Sequence, residues 1–105
     1  GRQSVEPIPG SSFEQKADLV IKALGFDPED LPAAFGEPAL ALTRWGTIKV
    51  DPRTMMTSLP GVFAAGDIVR GASLVVWGIR DGRDAAERIE EWVLARKSAA
   101  AMAAE

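Results

Sequence analysis

The chain has no cysteine, no histidine and no tyrosine among its 105 residues. Without thiols or imidazoles it cannot form a disulfide framework, a thiolate or His-ligated metal centre, a redox dithiol or a histidine general base. It also lacks a long apolar run: nothing approaches the roughly 20 residues a membrane helix needs, and the N-terminus shows neither a signal-peptide core nor a lipidation motif. A surplus of one charge is missing too. The net charge is −3, and the 12 basic residues alternate with the 15 acidic ones rather than clustering. A phosphate-backbone footprint needs clustered positive charge, so nucleic acid is excluded as the expected partner. The reading is of a cytoplasmic chain that touches neither membrane nor nucleic acid.

What is present is ordinary for a globular domain, with 47% apolar and 26% charged residues. The length suits one compact domain at most. Gly1 opens directly into RQSVEPIPG with no initiator Met, which reads as a fragment.

Residues 1–15 carry two prolines and a Gly-Ser-Ser cluster and read as a linker or edge-strand remnant. Lys16 to Gly25 holds Leu19, Val20, Ile21, Ala23 and Leu24 in a nearly continuous apolar run, which predicts a strand buried on both faces. In FDPEDLPAAF, acids precede Pro32, which predicts a turn and a brief helix. Thr47 to Val50 reads as a short strand that could pair with Ala39 to Thr43. Met55 to Pro60 reads as a loop, and Gly61 to Ala65 as a short buried strand. Ser73 then offers an N-cap for a long helix running from Leu74 to about Lys97. Its predicted core stripe is Val75, Gly78, Ile79, Gly82, Ala86, Ile89 and Val93, with Arg80, Asp84, Glu87, Arg88 and Glu91 on the wet side. Residues 98–105 form a tail that either extends the helix or frays.

The chemistry concentrates around Gly66 and Asp67. Taken as a dipeptide they read as a turn and cap. Placed at the end of a small-residue strand, however, Gly66 lets backbone approach a ligand and Asp67 offers a carboxylate to a polyol or ribose hydroxyl. The helix that follows turns unpaired N–H groups and its positive dipole end toward the same space. The spacing is not a Walker A loop, because Asp67 and Ile68 stand where Lys and Ser or Thr are required.

The longer string TSLPGVFAAGD followed by IVRGASLVVWGIRDGRDAA closely resembles the second FAD-binding signature of flavoprotein reductases with two dinucleotide domains. Within them it is most similar to the NADPH-dependent glutamate synthase small-subunit family, and KADLVIKALGFDPEDLP resembles the strand that re-enters the FAD domain. The resemblance implies an α/β fold: part of a Rossmann-like FAD/NAD(P)-binding domain with few short strands and one long C-terminal helix, the FAD-domain portion being residues 16–97. It also implies that Asp67 accepts a hydrogen bond from a ribityl hydroxyl of FAD and that Gly66 permits close approach. Leu74, Val75 and Val76 would present amides to the pyrimidine edge of the flavin. Leu24 and Gly25 stand where Ala-Thr-Gly is common, so only a backbone role carries over. Trp77 lies in the matched string near the expected flavin, whereas Trp45 and Trp92 read as packing residues. Gly78 stands where the family pattern has Ala.

Neither GxGxxG turn needed for the FAD pyrophosphate and for NADPH is present, and the family's Cys-rich iron–sulfur segment is absent as well. By resemblance, the parent protein passes electrons from NADPH through FAD and iron–sulfur clusters to a glutamate synthase large subunit. This chain is then expected to be inactive alone, to pair with the remainder of its own FAD domain, and to self-associate without it. Two alternatives stay open: a sister flavoprotein of the dihydropyrimidine dehydrogenase or ferredoxin reductase type, and a non-catalytic interaction module.

Overall fold

In a computed structural model the described residues are 6–103, and three helices form in the order α1 (Leu31–Phe35), α2 (Asp67–Arg70) and α3 (Val75–Met102). The brief helix foreseen at Pro32 is α1. The Asp30 carboxylate caps it by accepting from the Ala33 amide at 3.2 Å, Pro32 occupies its first turn, and Gly36 ends it in the left-handed region.

Between α1 and α2 the chain folds back on itself twice. Leu42 pairs antiparallel with Ile48, and the Thr43 and Thr47 hydroxyls meet at 2.7 Å across that hairpin. Met56 pairs antiparallel with Phe63. The excursion joining residues 39–43 to 47–50 is therefore present, reduced to a bridge. The segment expected to be a buried strand at Gly61 to Ala65 is likewise a single bridge. Its partner is a turn, in which Asp51 accepts from the Arg53 and Thr54 amides, and a turn cannot extend a ladder.

The strand expected over Lys16 to Gly25 does not form. Leu19, Val20, Ile21 and Leu24 are exposed, and no backbone hydrogen bond among the described residues involves residues 12–28. A strand closes its hydrogen bonds only on neighbouring strands, and no described segment hydrogen-bonds to the backbone of this one. Of the edge strand expected over residues 1–15, the first five residues lie outside the described range, and residues 6–15 contain a turn in which Ser11 bonds Ile8. The fold expectation is thus met in its long helix and corrected in its strands.

The core is small: Leu40, Ile48 and Ala85 are its buried apolar residues. Helix α3 contributes Ala85 and, further along, Trp92, whose ring meets Phe63 edge-on at 6.1 Å. Trp92 also lies where a Cβ on Gly61 would come within 2.8 Å of its ring, so Gly61 is the residue that lets the loop touch the helix. Trp92 is a packing residue, as the sequence suggested.

The packed face of α3 is not the one expected. Asp81 and Ala85 are its buried residues, with Gly78, Asp84, Arg88, Trp92 and Val93 partly covered, so that of the expected stripe only Gly78 and Val93 are partly covered. Val75, Ile79, Gly82, Ala86 and Ile89 are exposed. At 3.6 residues per turn the apolar stripe lies roughly a quarter turn from the packed face. The reason is that α2 and the hairpin anchor the helix through Asp81, leaving the apolar stripe to face outward. The helix also begins one residue later than expected. Leu74, extended at φ −75° and ψ 145°, is the N-cap and makes no side-chain cap, so Ser73 does not serve that role. At the far end α3 continues through the tail to Met102. No helix among the described residues is long and apolar enough to cross a membrane.

Candidate functional site

The turn Gly66–Gly71 is bounded at each end by a glycine of positive φ. Gly66 sits at φ 78° and ψ −151°, a region that essentially only glycine occupies, and Gly71 closes the turn at φ 85°. Between them α2 makes one turn, with the Gly66 carbonyl accepting from the Val69 and Arg70 amides at 3.0 and 2.9 Å. From sequence, Gly66 has two readings, as a cap and as a place of close approach. It is the N-cap of α2. A Cβ there would meet no atom within 4 Å, so what demands glycine among the described residues is the backbone angle.

Two contacts hold α2 in place. The Ile48 amide donates to the Ile68 carbonyl at 2.8 Å, tying α2 to the hairpin. From the other side Arg70 grips Asp81 of α3 in a bidentate pair, Nε to Oδ2 at 3.0 Å and Nη2 to Oδ1. Asp81 is only 7% exposed, and the Arg70 guanidinium also lies over the Trp77 ring at 5.1 Å. The hydrogen bonds from Arg70 hold the Asp81 carboxyl below its ordinary value; burial opposes this, while the charge of Arg70, the Gly66 amide and the charge of Arg80 reinforce it. The same pairing raises Arg70 above the usual arginine value.

A cleft of about 760 Å³ opens beside this turn. Leu24, Gly25 and Phe26 form one wall, Thr43, Trp45 and Thr47 of the hairpin another, and residues 67–72 the floor. Two parts of the sequence-predicted site, Leu24 with Gly25 and Asp67, are thereby brought to one cavity. Gly66 sits next to it as the cap of α2. Leu74, Val75 and Val76 do not line the cleft. They form the start of α3, and no acceptor among the described residues takes their amide protons. Those amides carry the positive end of a helix of 28 residues.

The tryptophans are arranged differently from the expectation. Trp77 is engaged by Arg70, whereas Trp45, read from sequence as a packing residue, is exposed and stands on the cleft wall with Arg44 at 4.1 Å. Arg80 pairs with Asp84 at 3.6 Å and Arg88 with Glu91 at 2.7 Å, both pairs drawn from residues expected on the wet side of α3.

Sequence reasoning missed the Arg70–Asp81 pair. Arg70 stood inside the quoted RGASLVVW string, and Asp81 falls one helical step from Gly78 and from Ala85, on the side that becomes packed. A charged residue flanked at helical spacing by small residues was the available signal.

The family model for pyridine nucleotide-disulphide oxidoreductases matches residues 2–99. The glutamate synthase (NADPH) small chain of Azospirillum brasilense is 67% identical over 106 aligned positions, covering 100% of this chain and 22% of that protein. A putative glutamate synthase (NADPH) small chain of Cereibacter sphaeroides is 64% identical over 93 positions, 89% of this chain and 22% of that one. The NADP(+)-dependent formate dehydrogenase subunit beta of Moorella thermoacetica is 42% identical over 93 positions, 89% of this chain and 13% of that protein. The chain thus spans 22% of the length of the two glutamate synthase small chains it matches. With its family model matching residues 2–99, this chain belongs to the pyridine nucleotide-disulphide oxidoreductases.

Proposed function

We propose that this chain is the C-terminal part of the FAD domain of a glutamate synthase small-chain flavoprotein, and that it supplies the ribityl and flavin-edge half of the cofactor site. The observation that carries the reading is 67% identity to such a small chain across the entire sequence. The family implies a Rossmann-like domain, and the present residues contribute its long helix and a few bridged turns.

The residues suit FAD. Asp67, at the start of α2 on the cleft floor, is a carboxylate available to a ribityl hydroxyl. The open amides of Leu74, Val75 and Val76 suit the pyrimidine edge of a flavin, whose oxygen and nitrogen acceptors gain electron density on reduction. Leu24 and Gly25 close the cleft with backbone and an apolar side chain. When bound, FAD supplies the exchange between a two-electron nicotinamide donor and one-electron acceptors. The part played by this chain is to orient the cofactor and to place fixed N–H dipoles where charge develops.

On this reading the parent protein draws electrons from NADPH and delivers them, through FAD and iron–sulfur clusters held elsewhere, to a glutamate synthase large subunit. Neither NADPH nor a cluster is held by these residues. A second reading, a sister flavoprotein with another acceptor, is favoured by the 42% identity to the Moorella thermoacetica subunit. The closer match to the two glutamate synthase small chains favours the first. Anaerobic titration of the full-length polypeptide with NADPH tests the proposal: the visible flavin band should bleach in proportion to added NADPH. A flavin that stays oxidised overturns it.

A further inference from the structure

The Arg70–Asp81 pair has no place in the proposed chemistry, although it is the strongest side-chain contact between the turn and the long helix. We propose that Asp81 is a positioning residue for the flavin: it acts through Arg70 to set where Asp67 and the start of α3 stand relative to each other. The inference rests on the reading of this site as an FAD site.

Four observations support it. Asp81 is a charged residue buried in a chain with very few buried side chains. Both of its oxygens are taken by one guanidinium, in the planar two-bond geometry that fixes orientation as well as distance. Arg70 is the last residue of α2, three positions after Asp67, and Asp81 lies on α3 seven positions after Leu74. A rigid clamp between them therefore fixes the distance from the Asp67 carboxylate to the open amides of Leu74, Val75 and Val76. Finally, Trp77, on the first turn of α3, lies against the same guanidinium, so three side chains from both elements meet at Arg70.

A site split between two short elements holds a ligand well only if their relative placement is fixed beforehand.

The test uses the full-length polypeptide carrying Asp81→Asn, Arg70→Lys or, as a control on a second ion pair further along the packed side of the same helix, Arg88→Gln. FAD dissociation constants, the visible circular dichroism of the bound flavin, and KM for NADPH at saturating FAD are measured. Asp81→Asn should weaken FAD binding at least tenfold and alter the flavin dichroism, with KM for NADPH unchanged. Arg70→Lys, which keeps the charge but loses the two-bond geometry, should give a smaller shift in the same direction, and it decides the matter if Asp81→Asn does not fold. Arg88→Gln should leave all three unchanged. FAD affinity within twofold of wild type and an unaltered dichroism in both clamp variants would overturn the proposal, as would an equal loss in Arg88→Gln, which would assign the effect to general loosening of α3. A wild-type protein that binds no FAD would instead overturn the flavin reading, and this role with it.

Discussion

Gly66 shows what a single residue contributes. Its φ of 78° with ψ near −151° is costly for any side chain, on the order of 1–3 kcal/mol, although no neighbour crowds the position. Gly66→Ala should therefore lower the stability of the full-length polypeptide by about that amount in denaturant unfolding, and an unchanged midpoint would refute the argument. The turn at Gly66 was legible in the sequence because a glycine-bounded turn is a local feature, and Asp67 follows it directly in the chain. Asp81 was not: its partner is 11 residues away on another helix, and no periodic pattern encodes a contact across two elements. Its environment makes a further prediction. Because the folded-state pKa of Asp81 is depressed, the stability it contributes is fully present above the ordinary value of about 3.8 and is lost as pH falls through the lower, folded-state value. Carboxyl-resolved NMR titration should find Asp81 titrating below the exposed aspartates, and a value at or above theirs would contradict the structure.

At the scale of the element, α3 was the most legible part of the chain and also the most instructive error. Its existence and approximate span followed from composition and spacing. Its orientation did not, because an apolar stripe says which face prefers burial while the Arg70 clamp and the Trp92 contact decide which face is buried here. The helix consequently carries two coverable faces, one occupied and one open. Gly78 and Gly82, both expected on the core stripe, meet nothing that a Cβ would touch. In the 105-residue chain, Gly78→Ala should stabilise the helix by up to ~1 kcal/mol, seen as a rise in helicity and thermal midpoint. A fall would mean that something packs tightly against that position. The strands were misread for the opposite reason. Residues 16–25 have the apolar character of a buried strand, but strand formation is a property of a pair, and the pair is not among the described residues.

At the scale of the whole molecule the chain is elongated, with a radius of gyration of 20.5 Å and a longest extent of 77 Å. A compact domain of this length has a radius near ~13 Å. Val75, 80% exposed, and Leu24, 90% exposed, are members of two unpartnered apolar surfaces, one on α3 and one on the N-terminal segment. Such surfaces are unfavourable in water, so the 105-residue chain alone should self-associate, and light scattering should report a mass above that of a monomer. A monomer with no concentration dependence would contradict this. Central to the proposed role is the dependence of FAD binding on the Asp67 carboxylate. It is tested most directly by the FAD dissociation constant of the full-length polypeptide with and without Asp67→Ala. Loss of a charge-assisted hydrogen bond of about 1.5–3 kcal/mol should weaken binding by roughly 10- to 100-fold. An FAD affinity unchanged by removal of that carboxylate would contradict the account.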